Sequence, residues 1–388
     1  MTTVIDKKYL DEFKYLGDAV YLDWGCLGLL PERTREHCRN FMDEYCDSFA
    51  RVALCDYDAR REDARHEIAK LIGARTDEIA FMANTTAGNN VLATGLKFAR
   101  GDNVIIADND YYSNVNCWIN KQREGVELRI APTEHGVLDE GALIRMIDSR
   151  TRAVVLSYVS HSTGYRADVS RIGAECRRHG AIFAVDAIQA VGRQAIDVNA
   201  ENIDVLSSGS FKGALGVLGC AFFYCRGGIA QLIAPSEYGD NCDTGEFGYT
   251  KKVDAAGHFT LYEDCRRFEA GSLNTYGITA AGISVGLLNE IGINRVSARI
   301  AELEAYFRVR AKSKLPMLDI LGSSDPACQS GNICCLFDHA KTGALKRAME
   351  AWRVYTTVEG GYMRLAVHYC NTEADIDRAV DAIIEGLR

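Results

Sequence analysis

The fold is decided by the stretch AIFAVDAIQAVGRQAIDVNAENIDVLSSGSFKGALG, which occupies residues 181–216. Two short apolar runs within it, AIFAVD and DVLSS, are bounded by polar or glycine residues, a pattern typical of buried strands. Asp186 ends the first run, and Lys212 follows the second in a turn rich in glycine and serine. Because ligands of open α/β sheets bind at the carboxyl ends of the strands, we expect this acid and this lysine at one sheet edge.

The same alternation extends outward from this stretch. Further apolar runs are interpreted as strands, and longer amphipathic segments between the runs as helices. The predicted strands are 78–82, 103–107, 153–159, 181–186 and 204–208, and the predicted helices are 86–99, 113–124, 140–149 and 169–178. Strands that alternate with helices favour an α/β fold with a mostly parallel sheet covered by helices on both faces.

The last third of the chain has a different pattern. Residues 276–312 predict one or two long helices, and residues 372–387 predict a terminal helix. In that helix Thr372 can cap the first turn, and Asp375 lies near the positive end of the helix dipole. We therefore expect a large α/β domain at 20–260 and a smaller α+β domain made of 1–19 and 261–388.

Composition limits the partners. Of the 388 residues 47% are hydrophobic and 25% charged, as in ordinary soluble globular proteins. Lysine and arginine total 44 against 53 acidic residues, a net charge of −9 that predicts neither a nucleic acid nor a membrane as partner. No run approaches the roughly 18 apolar residues of a spanning helix. The start MTTVIDKKYLDEF lacks the apolar centre of a signal peptide, so the cytoplasm is the expected location.

The 14 cysteines are scattered along the chain, with no CxxC pair and no histidine at zinc-finger spacing. We interpret most of them as small buried hydrophobic residues. The sequence therefore predicts neither a disulfide scaffold nor a metal site.

Three features at the predicted strand ends point to one cofactor. The turn ANTTAGNN, at 83–90, offers threonine hydroxyls and a helix N-terminus to a phosphate, although a simple threonine cap would look the same. Asp186 can hold a protonated ring nitrogen or cap the next helix. Lys212 has apolar neighbours such as Phe211 and Leu215, which favour a nucleophilic amine over a solvated surface lysine. Together these groups match the needs of pyridoxal phosphate.

The order of these pieces resembles the fold-type I pyridoxal-phosphate enzymes of aminotransferase class V. This group contains cysteine desulfurases, C–S lyases and isopenicillin N epimerase-like proteins. The resemblance covers almost the whole chain, from YLDWGCLGLLP at 21–31 to NTEADID at 371–377. It implies the large seven-stranded-type sheet and small C-terminal domain of that fold, and a homodimer with shared active sites.

The resemblance also implies roles for the cofactor-binding residues. Lys212 would form the Schiff base with pyridoxal 5'-phosphate, Asp186 would hold the pyridine nitrogen, and Gln189 would contact the ring hydroxyl. Thr85 and Thr86 would bind the phosphate.

Two further segments of the family pattern are present. In RFEAGSLN, at 267–274, Ser272 is similar to the hydroxyl residue that reaches the phosphate bound by the other subunit. In GYMRLAVHYC, at 361–370, Arg364 matches the arginine that binds the substrate α-carboxylate, a task suited to a bidentate guanidinium. The expected partner is therefore a small amino-acid substrate.

Several positions depart from the family pattern. Tyr111 takes the place of the histidine that stacks on the ring, and it keeps an aromatic face but cannot act as an imidazole acid or base. His161 replaces an asparagine near the ring hydroxyl, or is only a structural loop residue. Gly209 stands where a phosphate-binding serine is common, so Ser208 or Ser210 would have to substitute.

Three weaker candidates for the wall of the substrate pocket are Trp24, Cys26 and Tyr262. For each of them, packing in the protein core is the competing interpretation.

An absence narrows the activity. Desulfurases carry a nucleophilic cysteine on a loop before the arginine, whereas ALKRAMEAWRVYTTVEGGYMR, at 344–364, contains none. We therefore predict β-elimination from a cysteine-type or S-substituted cysteine substrate, with pyruvate, ammonia and a thiol as products. Lys212 and Tyr111 would be the catalytic residues. An aminotransferase, a decarboxylating deaminase or an epimerase is the alternative, and a desulfurase is less favoured. A pyridoxal-fold binding protein without catalysis is disfavoured by the intact Lys212, Asp186 and Arg364.

Overall fold

The computed structural model describes residues 3–47, 57–239, 241–244 and 260–388. A seven-stranded sheet forms its centre, in the order β2-β10-β9-β8-β7-β3-β4, and a four-stranded sheet has the order β11-β12-β15-β14. The strands are β1 (Val20–Tyr21), β2 (Ile79–Met82), β3 (Asn103–Ala107), β4 (Glu127–Ala131), β5 (Thr133–Glu134), β6 (Val137–Leu138), β7 (Thr151–Ser157), β8 (Ile182–Asp186), β9 (Val205–Gly209), β10 (Ala221–Cys225), β11 (Asp319–Ile320), β12 (Asn332–Leu336), β13 (Val354–Tyr355), β14 (Thr357–Glu359) and β15 (Tyr362–Ala366).

The large sheet is mostly parallel. Only β10 runs against both of its neighbours, β2 and β9, and the pairs between β9, β8, β7, β3 and β4 are parallel. The prediction of a mostly parallel α/β sheet is therefore confirmed. The five predicted strands are present, β3 with the predicted ends and the other four with shifted ends, and β4 and β10 are additions to them.

Helices surround the two sheets. They are α1 (Lys7–Leu10), α2 (Glu32–Asp47), α3 (Tyr57–Ile72), α4 (Thr85–Gly95), α5 (Tyr112–Val115), α6 (Ile119–Arg123), α7 (Glu140–Met146), α8 (Val169–His179), α9 (Thr275–Ile291), α10 (Ile293–Lys314), α11 (Thr342–Ala351) and α12 (Glu373–Leu387). The helix predicted at 113–124 is broken into α5, a 3-10 turn at Asn116–Trp118 and α6. This break accompanies two buried anchors, because Asn114 hydrogen-bonds to Asp110 while Trp118 packs edge-on against Phe98.

Capping residues set the starts of the helices that matter for the site. The side chain of Asn84 accepts the backbone N–H of Ala87 at the start of α4. At the start of α12, Thr372 and Asp375 form a reciprocal capping box, which confirms the predicted terminal helix.

The long helical region predicted at 276–312 is the pair α9 and α10. Gly292, with a φ of 89°, separates the two helices. Within the described ranges no single helix is long and apolar enough to cross a membrane, and α9 and α10 meet that criterion only as a pair across an 80° bend.

Apolar cores cover both faces of the large sheet. Strand β8 is buried along its whole length, as expected for a central parallel strand. One face packs on α8 through residues such as Ile172 and Cys176, and the other packs on α4 through Val91 and Leu92. Because both faces are covered, polar groups of this sheet reach a cavity only at the strand ends.

The four-stranded sheet is antiparallel. The N-terminal segment joins it, because β1 pairs with β13 and the backbone N–H of Ala366 donates to the carbonyl of Leu22 over 2.7 Å. The fold is thus a large α/β unit with a smaller α+β unit, as predicted. The domain boundaries at residues 19/20 and 260/261 stay a prediction.

Candidate active site

A cavity of about 170 Å³ opens at the carboxyl ends of β7, β8 and β9 and at the start of α4. Its lining includes most of the residues that the sequence singled out. They are Thr85, Thr86, Tyr111, His161, Asp186, Gln189 and Lys212. The structure therefore brings together at one sheet edge the residues that were predicted to meet there.

Lys212 lies in the connection between β9 and the antiparallel β10. Burial, together with the positive charge of Arg364, lowers the pKa of its amine to about 8. Hydrogen bonds hold the loop on both sides of it. The N–H of Gly28 donates to the carbonyl of Phe211 over 2.7 Å, and His368 Nε2 donates to the carbonyl of Gly213 over 3.1 Å. A fixed amine with a lowered pKa is suited to act as a nucleophile or a base.

Asp186 is the last residue of β8 and is 3% exposed. Burial raises the pKa of its carboxyl to about 6, although the backbone N–H of Ile188 donates to Oδ1 over 3.1 Å. No arginine or lysine of the described residues lies within ion-pair distance of it. A buried acid without a cationic partner fits a ligand that carries a positively charged N–H.

A second acid, the half-buried Asp110, lies near Asp186 and was missed by the sequence analysis. Asp110 accepts hydrogen bonds from Ser157 Oγ at 2.5 Å and from Asn114 Nδ2 at 3.1 Å. Burial raises its pKa, and its charge in turn raises that of Asp186. Asn89 Nδ2 donates to Asn114 Oδ1 over 2.9 Å, and Asn89 lowers the pKa of Asp186 against the effect of burial. The motif DNDYYSN after a strand was the available signal for this network.

The start of α4 supplies the anion-binding groups. Thr85 is buried, and its Oγ1 accepts the backbone N–H of Gly209 over 2.9 Å, so its own O–H remains free to donate. Thr86 is exposed and lines the cavity. These hydroxyls and the first N–H groups of the helix form a site for a phosphate.

Neither serine proposed as a substitute at Gly209 reaches this site. Ser208 Oγ donates to the carbonyl of Gly209, and Ser210 Oγ donates to the carbonyls of Val217 and Cys220. Both side chains are buried and neither lines the cavity. The interpretation of Ser210 as a phosphate ligand is not supported, because its hydroxyl is bonded to backbone carbonyls within the connection between β9 and β10.

Two aromatic rings form the outer wall of the cavity. Tyr111 is 43% exposed, and its ring meets that of His161 edge to face with centroids 4.8 Å apart. Burial, Arg364 and Lys212 together lower the pKa of His161 to about 4. The imidazole is therefore neutral near pH 7.

Arg364, on β15, is 8% exposed and faces His161. Its Nη1 donates to the carbonyl of His161 over 3.1 Å, and Nη2 lies 3.7 Å from Asp23 Oδ1. Its buried Nε has no hydrogen-bond partner among the described residues. Arg364 is not among the residues that line the cavity, but its charge affects the pKa of Lys212, and its unsatisfied guanidinium N–H is available to a carboxylate oxygen.

Four candidates lie elsewhere. Trp24 is fully buried in the core, where its Nε1 donates to Tyr21 O and Asn371 Oδ1, so its interpretation as a pocket wall is wrong. Cys26 is exposed and is not among the residues that line the first cavity. Ser272 lines a separate cavity of about 560 Å³, which shares Asn84 and Thr86 with the first. Tyr262, half-buried, packs beneath the guanidinium of Arg266.

Comparison with known proteins gives the family. A model of the class V aminotransferases matches residues 20–378. The chain belongs to this family. Among the relatives of this class V protein is a "probable cysteine desulfurase" from Methanothermobacter thermautotrophicus, which is 28% identical over 93% of both chains.

Solved structures agree on the fold. A cysteine desulfurase from Thermococcus onnurineus NA1 superposes with a TM-score of 0.87 at 21% identity, covering 100% of this chain and 99% of that one. The cystine C–S lyase C-DES, in complex with its reaction product cysteine persulfide, gives 0.84 at 21% identity over 96% of this chain and 99% of that one. The predicted family and fold are thereby confirmed for this class V protein.

Class V aminotransferases use pyridoxal 5'-phosphate, so the predicted cofactor is confirmed as well. The donors in the cavity fit this group. A buried acid without a cationic partner suits the pyridine nitrogen, an amine of lowered pKa suits the aldehyde, and the start of α4 suits the phosphate. In this class V chain, Asp186, Lys212, Thr85 and Thr86 would therefore hold the cofactor.

Proposed function

We propose that this class V enzyme is a lyase that breaks the C–S bond of a cysteine-type or S-substituted cysteine substrate. Its products would be pyruvate, ammonia and a thiol. One observation carries the proposal: residues 336–369, the segment that approaches Arg364 from both sides, contain no cysteine. A desulfurase needs a thiolate there to take the sulfur, whereas an eliminating enzyme releases the sulfur on its leaving group.

The cysteines nearest this segment are poor substitutes. Cys334 and Cys335, on β12, are fully buried, and burial raises the pKa of Cys334 to about 11 and that of Cys335 further. Burial likewise raises the pKa of Cys370. A thiol with a raised pKa is protonated near pH 7 and is a weak sulfur acceptor.

Arg364 would bind the substrate α-carboxylate. Its Nη1 donates to His161 O, and its Nη2 already contacts Asp23 and Thr357, so Nε is the guanidinium nitrogen left for the substrate. The charge of Arg364 acts on the pKa of Lys212, which supports a position of the bound carboxylate near the lysine. The α-carbon would then lie near the amine.

Proton movement would fall to Lys212. When bound, pyridoxal phosphate accepts the electron pair that the α-carbon releases. Asp186 would keep the ring nitrogen protonated. The neutral amine of Lys212 would then take the α-proton, and its lowered pKa supports this because a measurable neutral fraction exists near pH 7.

The leaving sulfur departs with the electron pair of the C–S bond and then gains a proton. Tyr111, at the exposed mouth of the cavity, has a hydroxyl that could supply this proton or orient the ring. His161 is neutral near pH 7, so one of its ring nitrogens can donate and the other can accept, and it would bring no positive charge to the leaving sulfur. Water would then convert the remaining three-carbon unit into pyruvate and ammonia.

The assembly and location remain part of the proposal. We expect a homodimer, because Ser272 lies outside the cavity of its own chain and would serve the phosphate of the other subunit. A cytoplasmic location is supported by the thiols, since all 13 cysteines of the described residues are free.

Product analysis tests the activity. Holoenzyme is incubated with cysteine, cystine, S-substituted cysteines and ordinary amino acids, and pyruvate, ammonia, alanine and other carbonyl products are quantified. We expect equal amounts of pyruvate, ammonia and released thiol from the sulfur substrates. Lys212→Ala should abolish this release, and Lys97→Ala, a change at an exposed lysine, should leave it intact.

Three kinds of outcome would overturn the proposal. Stoichiometric alanine from cysteine, or a persulfide trapped on any cysteine including Cys26, would identify a desulfurase. A keto acid or aldehyde that retains the whole side chain would identify transamination or decarboxylating deamination instead. Recovery of the D-enantiomer of an amino acid would identify an epimerase.

A further inference from the structure

Three buried polar side chains connect the cofactor cavity to the four-stranded sheet. Gln189 lines the cavity and is 3% exposed, Asn332 lies on β12 and is 1% exposed, and Arg193 is fully buried. Arg193 Nη1 donates to Asn332 Oδ1 over 2.6 Å, and Asn332 Nδ2 donates to Gln189 Oε1 over 3.0 Å. Gln189 Nε2 in turn donates to the carbonyl of Gly25 over 3.0 Å. We call these three residues the amide relay.

The groups at the two ends of the relay, the guanidinium of Arg193 and the carbonyl of Gly25, determine which way the amides of Asn332 and Gln189 are oriented. A guanidinium can only donate, so Asn332 must present its oxygen to Arg193 and its NH₂ group to Gln189. The carbonyl of Gly25 can only accept, so Gln189 must present its NH₂ group on the cavity side. Both ends require the same orientation of both amides. One N–H of Gln189 bonds to Gly25, and the other is left for an acceptor in the cavity.

Arg193 brings a positive charge to the far end of the relay. None of the described carboxylates lies within ion-pair distance of it. Its other contacts are carbonyls, since Nε and Nη2 both donate to Val367 O, at 3.1 and 2.9 Å. Burial and Arg364 lower its pKa to about 9, against the opposing effect of Glu304, so it remains charged near pH 7. Burying a cation without a counterion costs free energy, which indicates that the charge of Arg193 has a function.

We propose that Arg193 and Asn332 are positioning residues that act through Gln189. They hold its amide as a hydrogen-bond donor toward a ring oxygen of the cofactor, and the charge of Arg193 strengthens that donation along the relay. Hydrogen bonds in series polarise one another, most strongly where the dielectric constant is low. This inference rests on the proposed placement of the cofactor in the cavity. It does not depend on which substrate bond the enzyme breaks.

The relay should affect the proton shared between the ring oxygen and the nitrogen of Lys212. A strong donor withdraws electron density from the ring oxygen, so that oxygen stabilises a proton on the adjacent nitrogen less well. Loss of the donor should therefore raise the pH at which the bound cofactor loses this proton. The loss of one hydrogen bond to a charged group corresponds to a shift of about one pH unit, or about tenfold in proton affinity.

The test is a pH titration of the absorption of the bound cofactor in holoenzyme. Asn332→Asp keeps the shape of the side chain and the contact with Arg193, but it cannot donate to Gln189, whose amide is then free to turn its oxygen toward the cavity. Asn332→Ala removes the N–H that donates to Gln189 Oε1 without adding a charge, so that of the two bonds of this amide named above only the one to Gly25 O is left to hold it. Both variants should raise the midpoint, Asn332→Asp by about one pH unit and Asn332→Ala by a smaller amount.

Gln194→Glu is the matched control. Gln194 is 4% exposed, accepts from Arg166 Nη1 over 2.9 Å and donates to Ser330 O over 2.9 Å. It therefore bridges an arginine and a carbonyl as Asn332 does, without reaching Gln189, and its variant should leave the midpoint unchanged. The titratable and charged groups around Lys212 are the same in every variant: Asp23, Cys26, Tyr111, His161, Asp186 and Arg364.

An unshifted midpoint in folded Asn332→Asp and Asn332→Ala holoenzymes would overturn the proposal, as would a downward shift. So would an equal shift in Gln194→Glu, which would mean that the added charge alone is responsible. If both Asn332 variants fail to fold while Gln194→Glu folds, the relay has only a structural role and the proposal fails. Lys212→Ala tests the placement of the cofactor separately. If the cofactor remains linked to the protein as in the wild type after this substitution, the proposed site itself is wrong.

Discussion

The lowered pKa of Lys212 predicts how fast the cofactor-free protein captures pyridoxal phosphate at each pH. Only the neutral amine attacks an aldehyde. Burial and Arg364 lower the pKa of Lys212 from 10.5 to about 8. The rate of capture should therefore rise about tenfold per pH unit up to about pH 8 and level off above it.

The magnitude follows from the two pKa values. At pH 7 an amine with a pKa of about 8 is neutral in about one molecule in ten, whereas an ordinary lysine is neutral in about three molecules in ten thousand. The site should therefore react about 300 times faster at pH 7 than an exposed lysine of equal access. The charges around Lys212 determine whether a substitution raises or lowers the midpoint of the pH–rate profile. Removing the positive Arg364 should move the midpoint up, and removing the negative Asp186 should move it down.

The assay is stopped-flow absorbance with excess pyridoxal phosphate, from about pH 6.5, above the second phosphate pKa of about 6, to about pH 10.5. Wild type, Arg364→Gln and Asp186→Asn are compared, and Arg178→Gln, a change at an arginine whose side chain is 71% exposed, serves as the control. A rate that climbs without a plateau beyond pH 9.5 would refute the reasoning, because Lys212 would then titrate as an ordinary lysine. A downward shift in Arg364→Gln would refute the assigned electrostatics.

Three further predictions concern turnover. In steady-state assays Arg364→Ala should raise KM and lower kcat/KM, by an amount equivalent to about 2–5 kcal/mol of lost transition-state stabilisation, because the substrate carboxylate loses its binding partner. An unchanged kcat/KM would mean that the carboxylate binds elsewhere. Separate alanine substitutions of Cys334, Cys335 and Cys370 should each retain turnover, and loss of activity in any one would restore a sulfur-acceptor role. Ser272→Ala should weaken cofactor affinity by about two- to tenfold in equilibrium dialysis. The activity of the wild type should fall when dilution dissociates the dimer, and a fully active monomer would contradict an active site shared between subunits.

The sequence was sufficient for the elements that carry the site. Continuous apolar runs marked β3, β8 and β9 because both faces of these strands are buried, and the residues just after them had to share one edge of the sheet. Asp186 and Lys212 could be predicted for that reason. Strand direction could not be predicted. The run AFFYC of β10 follows the Lys212 turn without a helix between them, and no periodicity shows that it runs antiparallel.

Side-chain direction in irregular segments was the other limit. Trp24 and Ser210 lie outside regular elements or at their ends, where the spacing of residues does not determine which way a side chain points. The amide relay shows the same limit over a longer distance. Asn332 and Gln189 are 143 residues apart, and only the tertiary fold brings their amides together.

Three hydrogen bonds, each between a side chain and a backbone carbonyl, join the segment 364–368 to the large α/β unit. Arg364 donates to His161 O, Arg193 donates to Val367 O, and His368 donates to Gly213 O. A hinge motion of the small unit would have to break all three of these hydrogen bonds at once, and those made by Arg193 and His368 are buried. Substrate entry should therefore rely on side-chain rotations at the exposed rim, around Tyr111, and the two sheets should move as one rigid body. We expect crystal structures of the free and substrate-bound enzyme to superpose across both sheets without domain closure.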